Sequence, residues 1–237
     1  MRSIVRAISP IVTVSCLLAV ASSNSSAAPA PTVVLCPGLP EALPTEAKTE
    51  FRPCPDDMLT VSSFCVDRFE APNAAGENPT IMASALDADR LCRKAGKRLC
   101  TEAEWERACS GPSKLRYPYG QFHEPGRCND GKRWMRVDEA ALASWPSDRS
   151  KREADRLWQG EPSGFRPGCS SEEGVQDMVG NVEEWVRRGS GYALKGCYWA
   201  SCFGGSNPTC TWTNAVHGPT FQFYETGFRC CADKATP

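Results

Sequence analysis

Histidine is scarce in this chain: among 237 residues only His123 and His217 occur. A metal centre built on three imidazoles is therefore excluded, and so is a two-histidine facial triad that needs a further imidazole. Excess charge is lacking as well, since 27 Lys and Arg face 28 Asp and Glu and leave a formal net charge of −1. A chain so balanced gives no electrostatic reason to expect nucleic acid or an anionic membrane as partner. The main apolar run, about residues 8–21, is too short to span a bilayer comfortably. Thiols, carboxylates, backbone oxygens and aromatics are left to carry any chemistry.

Cysteine, by contrast, is abundant, with 14 in the chain. The N-terminus places Arg2 and Arg6 before the apolar run and small residues after it. This is the order of a secretory signal, read as residues 1–27, with cleavage feasible after Ala21 or near Ala27. A second reading makes Cys16 the lipidated residue of a lipoprotein box. Export to the periplasm, cell surface or medium is expected, and there cysteines oxidise to disulfides. Losing Cys16 with the signal leaves an odd number of thiols, so one is free, reactive or paired with another molecule. Residues 28–56, rich in Pro, Ala, Ser and Thr, read as a tail or linker, and residues 57–233 as the folded domain.

Two helices are legible. Ser84-Ala85-Leu86-Asp87 has capping-box spacing and leads into Ala88, Leu91, Cys92 and Ala95 on one face. Thr101-Glu102-Ala103-Glu104 repeats the box and leads into Trp105, Ala108 and Cys109, with Gly111-Pro112 as the stop. From 113 to 170 no period longer than a turn is visible. Short strands are expected near 61–66, 181–186, 192–199 and 226–231. So little regular structure in so long a chain calls for support from disulfides or ions.

Four stretches in this order carry a resemblance: FCVDRFEAPN (64–73), LCRKAGKRLCTEAEWERACSG (91–111), GVQDMVGNVEEWV (174–186) and GFRCC (227–231). Together they resemble the formylglycine-generating enzyme family, also called sulfatase-modifying factor domains, over about residues 57–233. The resemblance implies a loop-rich α+β fold similar to C-type lectins. It implies calcium held by the Asp177 and Glu184 side chains and the Gly180 and Val182 carbonyls, a set of hard oxygens suited to Ca²⁺. It associates Asn129 with a second calcium site, and it implies the disulfides Cys92–Cys230 and Cys109–Cys210. Glu183 stands where the family usually has Trp. Cys230 and Cys231, neighbours on a strand, point to opposite faces and should serve different partners. The pairing of Cys36, Cys54, Cys65, Cys100, Cys128, Cys169, Cys197, Cys202 and Cys231 cannot be deduced from sequence.

In catalytic members of the resembling family, two cysteines five residues apart bind Cu(I), a soft ion suited to thiolates. Counting along KGCYWASCFGGSNPTC (195–210) puts those positions near Ala200 or Ser201 and near Gly205 or Ser206, none of them cysteine. Disulfide roles are therefore expected here, either a local Cys197–Cys202 bridge or another. Cys202 is the candidate reactive thiol of the alternative, a formylglycine-generating oxidase using copper and O₂. Tyr198, Trp199 and His217 are candidate groove residues. The reading is an exported, monomeric domain without standard copper chemistry that binds a peptide, protein or glycan.

Overall fold

The computed structural model describes residues 53–200, 202, 205 and 207–235. The expected signal, most of the 28–56 tail, Cys16 and Cys36 lie outside the described residues. Within them the elements run β1 (Met58–Val61), β2 (Phe64–Asp67), α1 (Ala85–Lys94), β3 (Arg98–Leu99), α2 (Glu102–Ser110), α3 (Glu139–Leu142), α4 (Asp148–Leu157), β4 (Glu183–Arg188), β5 (Gly191–Lys195), β6 (Thr213–Asn214), β7 (Thr226–Phe228) and β8 (Cys230–Asp233). Two four-stranded sheets result, ordered β1-β2-β8-β3 and β6-β5-β4-β7. All pairings are antiparallel except β4 with β7, where Glu184 sits opposite Gly227. The two sheets are joined through a single residue, Arg229, between β7 and β8.

Both legible helices begin where their capping boxes lie. Ser84 Oγ accepts from the Asp87 amide at 3.1 Å and Thr101 Oγ1 from the Glu104 amide at 3.3 Å, while each acidic side chain accepts in return from the cap amide. These bonds satisfy amides that the first helical turn leaves without partners. Ala85, Ala88 and Cys92 of α1 and Trp105, Ala108 and Cys109 of α2 are buried, so each helix presents its apolar stripe to a core. α4 was not expected. Its face is only Ala154 and Leu157, completed by buried Ser150 and Glu153, which is too polar a stripe to read from the sequence. Glu153 is held there by Arg156 and by the amide of Asp138.

Six disulfides stitch the unit: Cys54–Cys65, Cys92–Cys230, Cys100–Cys231, Cys109–Cys210, Cys128–Cys169 and Cys197–Cys202. Every cysteine among the described residues is thereby paired. Cys230 and Cys231 do serve different partners, one on α1 and one just before α2. The order of the ordered unit begins before residue 57, since Cys54 is bridged to Cys65 of β2 and Pro53 accepts from the amide of Ala235 at 2.9 Å.

Candidate functional site

The GNVEEW turn and the start of β4 lie against the Arg229 junction. Arg229 is fully buried, and every guanidinium donor finds an acceptor. Nε and Nη2 fork onto the Glu184 carboxylate at 2.7 and 2.6 Å, Nη1 reaches the carbonyls of Asp67 and Arg68, and Nη2 also reaches that of Gln176. Trp105 Nε1 adds a bond to Glu184 at 2.8 Å, so α2 is tied to the same carboxylate. Two further buried acids surround this pair. Glu70 accepts from Asn181 Nδ2 at 2.8 Å and from the Val182 amide at 3.2 Å, and Asp177 accepts from the Gly164 amide at 2.7 Å. Burial, together with the charges of Asp177 and Glu184, holds the Glu70 carboxyl well above the usual range. Burial likewise pushes Asp177 up to about 6, against the pull of the Gly164 amide and Arg229.

The backbone here needs its glycine. Asp177, Gly180 and Asn181 all have positive φ, and a Cβ on Gly180 would meet the Asn129 carbonyl oxygen at 2.3 Å. Asn129 packs on the turn through that carbonyl, which accepts from the Asn181 amide, and its amide nitrogen donates to Asn181 Oδ1 at 3.1 Å.

Beside the start of β4, at Glu183, opens a cavity of about 630 Å³. Glu183, Tyr198, Tyr224 and Glu225 form its inner wall, with Trp134 and His217 nearer the mouth. The Glu183 amide donates to the Glu225 carbonyl at 2.8 Å, which sets the two side chains on adjacent backbones. Tyr198 and Tyr224 meet edge to face with ring centroids 5.9 Å apart. The Cys202 half of the Cys197–Cys202 disulfide also borders the cavity.

Residues 43–234 match the family model described as the sulfatase-modifying factor enzyme 1-like domain. The chain belongs to this family. The formylglycine-generating enzyme of Mycobacterium tuberculosis is 29% identical over 158 residues, covering 64% of this chain and 48% of that protein. The inactive C-alpha-formylglycine-generating enzyme 2 of Bos taurus is 30% identical over 184 residues, covering 68% and 52%. This chain thus spans about half the length of these curated relatives. Among solved structures, the Major Tropism Determinant I1 variant aligns with a TM-score of 0.50 and 14% identity over 78% of this chain and 55% of that one. That likeness is one of fold alone, and it agrees with the expected loop-rich, C-type-lectin-like α+β architecture.

Within this sulfatase-modifying factor domain the expected site residues divide. Cys202 is not a free thiol, because it is bonded to Cys197. Of the two disulfide roles expected for this segment, the local Cys197–Cys202 bridge is the one present. Trp199 is no groove residue: it is fully buried between Trp158, Tyr198 and Tyr224. Tyr198 and His217 do border the cavity, and His217 stacks on Phe221 with centroids 3.7 Å apart. The structure joins Cys92 to Cys230 and Cys109 to Cys210.

The residues implied for calcium show a charge imbalance. Glu70, Asp177 and Glu184 bring three carboxylates to a region where Arg229 is the guanidinium facing them, so full ionisation leaves two negative charges uncancelled. A divalent cation fits that deficit. The buried Asn129 Oδ1, which has no hydrogen-bond partner, is a second oxygen of suitable chemistry. Among the described residues no three Asp, Glu, His or Cys side chains converge as a cradle by themselves, so carbonyl oxygens such as those of Gly180 and Val182 must contribute. Glu184 is already forked by Arg229 and would be shared. Glu70 was missed in the sequence, although its place in FCVDRFEAPN was a usable signal.

Proposed function

We propose that this domain is an exported, copper-free member of the family that binds a peptide, protein or glycan ligand in the cavity beside β4. The observation that carries this reading is the Cys197–Cys202 bridge at the cavity wall, which leaves no thiolate pair for a soft metal there. The similarity to a relative named as inactive supports it. Six disulfides support an oxidising destination. Among the described residues no helix is long and apolar enough to cross a membrane. In the proposed state the domain is a monomer.

A second reading is favoured by one observation. Cys197 and Cys202 have the five-residue separation that the resemblance ascribes to the copper pair, and reduction would turn the bridge into two adjacent thiols. One experiment separates the two readings. The protein, as purified and after mild reduction, is incubated with Cu(I), O₂ and a CxPxR peptide, and the peptide mass is followed. The expected result is unchanged peptide in both arms. Conversion of its cysteine to the aldehyde by the reduced protein, lost in Cys202→Ala, would replace the first reading by the second.

Calcium belongs to the proposal as a stabilising ion. Asp177, Glu70 and Asn129, with carbonyls of the GNVEEW turn, would hold it, and its charge would relieve the repulsion among the buried acids. Addition of CaCl₂ to chelator-treated protein should raise the thermal midpoint by several degrees, about 8 °C at a hundredfold excess over the dissociation constant. Asp177→Asn should abolish that response. An unchanged midpoint in the wild-type protein removes calcium from the account.

A further inference from the structure

The inner wall of the cavity holds two carboxyl groups that the fold satisfies incompletely. Glu183 is only 4% exposed, and neither a hydrogen bond nor an opposite charge compensates its burial. Glu225 is bonded by the side chain of Tyr224, but its buried Oε2 has no hydrogen-bond partner. An unpaired buried carboxyl costs stability, and several other acids among the described residues are matched by a cation: Glu184 by Arg229, Glu106 by Lys195, Glu161 by Arg166. At the cavity two incompletely matched carboxyls stand side by side, on neighbouring backbones. The cost is suited to a site that a ligand completes.

The chemistry of the wall narrows that ligand. Two acids disfavour an anion. Tyr198 and Tyr224 stand beside them with their rings at 89° to one another, and aromatic faces attract cations through their quadrupoles. A metal ion is a poorer match, since no third acidic, His or Cys side chain among the described residues joins the pair in a cradle. A hydrogen-bonding organic cation uses both features at once. Its N–H groups can donate to the two carboxylates, and its alkyl stem can lie along the aromatic wall.

We propose that the cavity is a seat for a primary ammonium group of the lysine type, with Glu183 and Glu225 as its acceptors and Tyr198 and Tyr224 as its aromatic flank. The inference rests on reading the cavity as the ligand groove and names the group that the groove recognises. It gives Glu183 a purpose at the position where the family resemblance places Trp: the substitution exchanges an apolar contact for a carboxyl group.

The test is calorimetric titration of the mature protein with three probes: Nα-acetyl-lysine methylamide, its norleucine counterpart lacking the charge, and methyl glucoside as a neutral hydroxyl donor. The lysine derivative should bind at least about tenfold more tightly than either neutral probe. Glu183→Gln and Glu225→Gln should each weaken it about tenfold, with circular dichroism unchanged, whereas the exposed rim variant Glu139→Gln should stay within about twofold. Equal binding of the norleucine derivative or the glucoside overturns the ammonium seat while leaving the groove in place. Undiminished lysine binding by the two glutamine variants also overturns it. If none of the probes binds, the seat is overturned, and the copper-free reading is then judged by the aldehyde assay alone.

Discussion

Replacing Arg229 by methionine is expected to lower the thermal midpoint by on the order of 10 °C, and replacement by lysine to recover little of it. The reason lies in what Arg229 holds. It is the one residue between the last strand of one sheet and the last strand of the other, and its fork reaches Glu184 on β4 and the carbonyls of Asp67, Arg68 and Gln176. Removing it leaves Glu184 buried without its countercharge beside Glu70 and Asp177, and breaking a buried pair in this way costs roughly 3–5 kcal/mol. Lysine restores a charge but not the planar set of five donors. Arg90→Met is the control, because Arg90 makes an exposed pair with Asp87 and its loss should change the midpoint by little. Thermal unfolding followed by circular dichroism measures all three. A midpoint for Arg229→Met within a degree or two of the wild type would refute the account of the junction.

The second large effect concerns the paired bridges of β8. Cys92–Cys230 and Cys100–Cys231 have sequence separations of 138 and 131, so each taken alone looks like a very long loop closure. They are not independent. With either present, the other closes only a ring of about ten residues, and chain entropy assigns such a ring about 3 kcal/mol. With both absent, Cys109–Cys210 still shortens the chain path to about forty residues, and the combined loss comes to about 7 kcal/mol. The double removal should therefore exceed the sum of the two single removals. Denaturant unfolding of Cys92→Ala/Cys230→Ala, Cys100→Ala/Cys231→Ala and the fourfold variant would show this directly. Strict additivity would mean that the bridges act through local strain and not through the denatured chain.

How far the sequence could be read follows from which signals were local. Both capping boxes were legible because Ser84 and Thr101 complete their bonds within three residues. β4 and β5 were located to within a few residues, but the strand expected at 61–66 straddles the turn between β1 and β2, and the one at 226–231 divides at Arg229 into β7 and β8. The two-residue β3 and β6 are too short to read, and the order escaped because β8 lies between β2 and β3 only through contacts remote in sequence. α4 escaped because its buried face includes Ser150 and Glu153, whose polarity is answered by Ser147 and Arg156 and not by an apolar neighbour. In the site, the GNVEEW turn announced Asp177 and Gly180, while the role of Glu70 depends on a contact 111 residues away with Asn181. Glu225 gave no sign at all. Its neighbour Glu183 was noticed as a departure from the family, and only the cavity shows that the two acids meet. Trp199 was misplaced for the opposite reason: an aromatic beside Tyr198 looks the same in sequence whether it faces a groove or the core.

The connectivity of the cysteines also dictates an order of assembly. In the order of synthesis, Cys65 follows Cys54 after 11 residues, and Cys128 must wait 41 for Cys169. Cys92, Cys100 and Cys109 have no correct mates until residues 230, 231 and 210 follow, at separations of 138, 131 and 101. Three thiols must therefore be kept from premature oxidation while about a hundred or more further residues are made. The yield of correctly cross-linked molecules should accordingly depend on a disulfide-shuffling catalyst at the place of emergence.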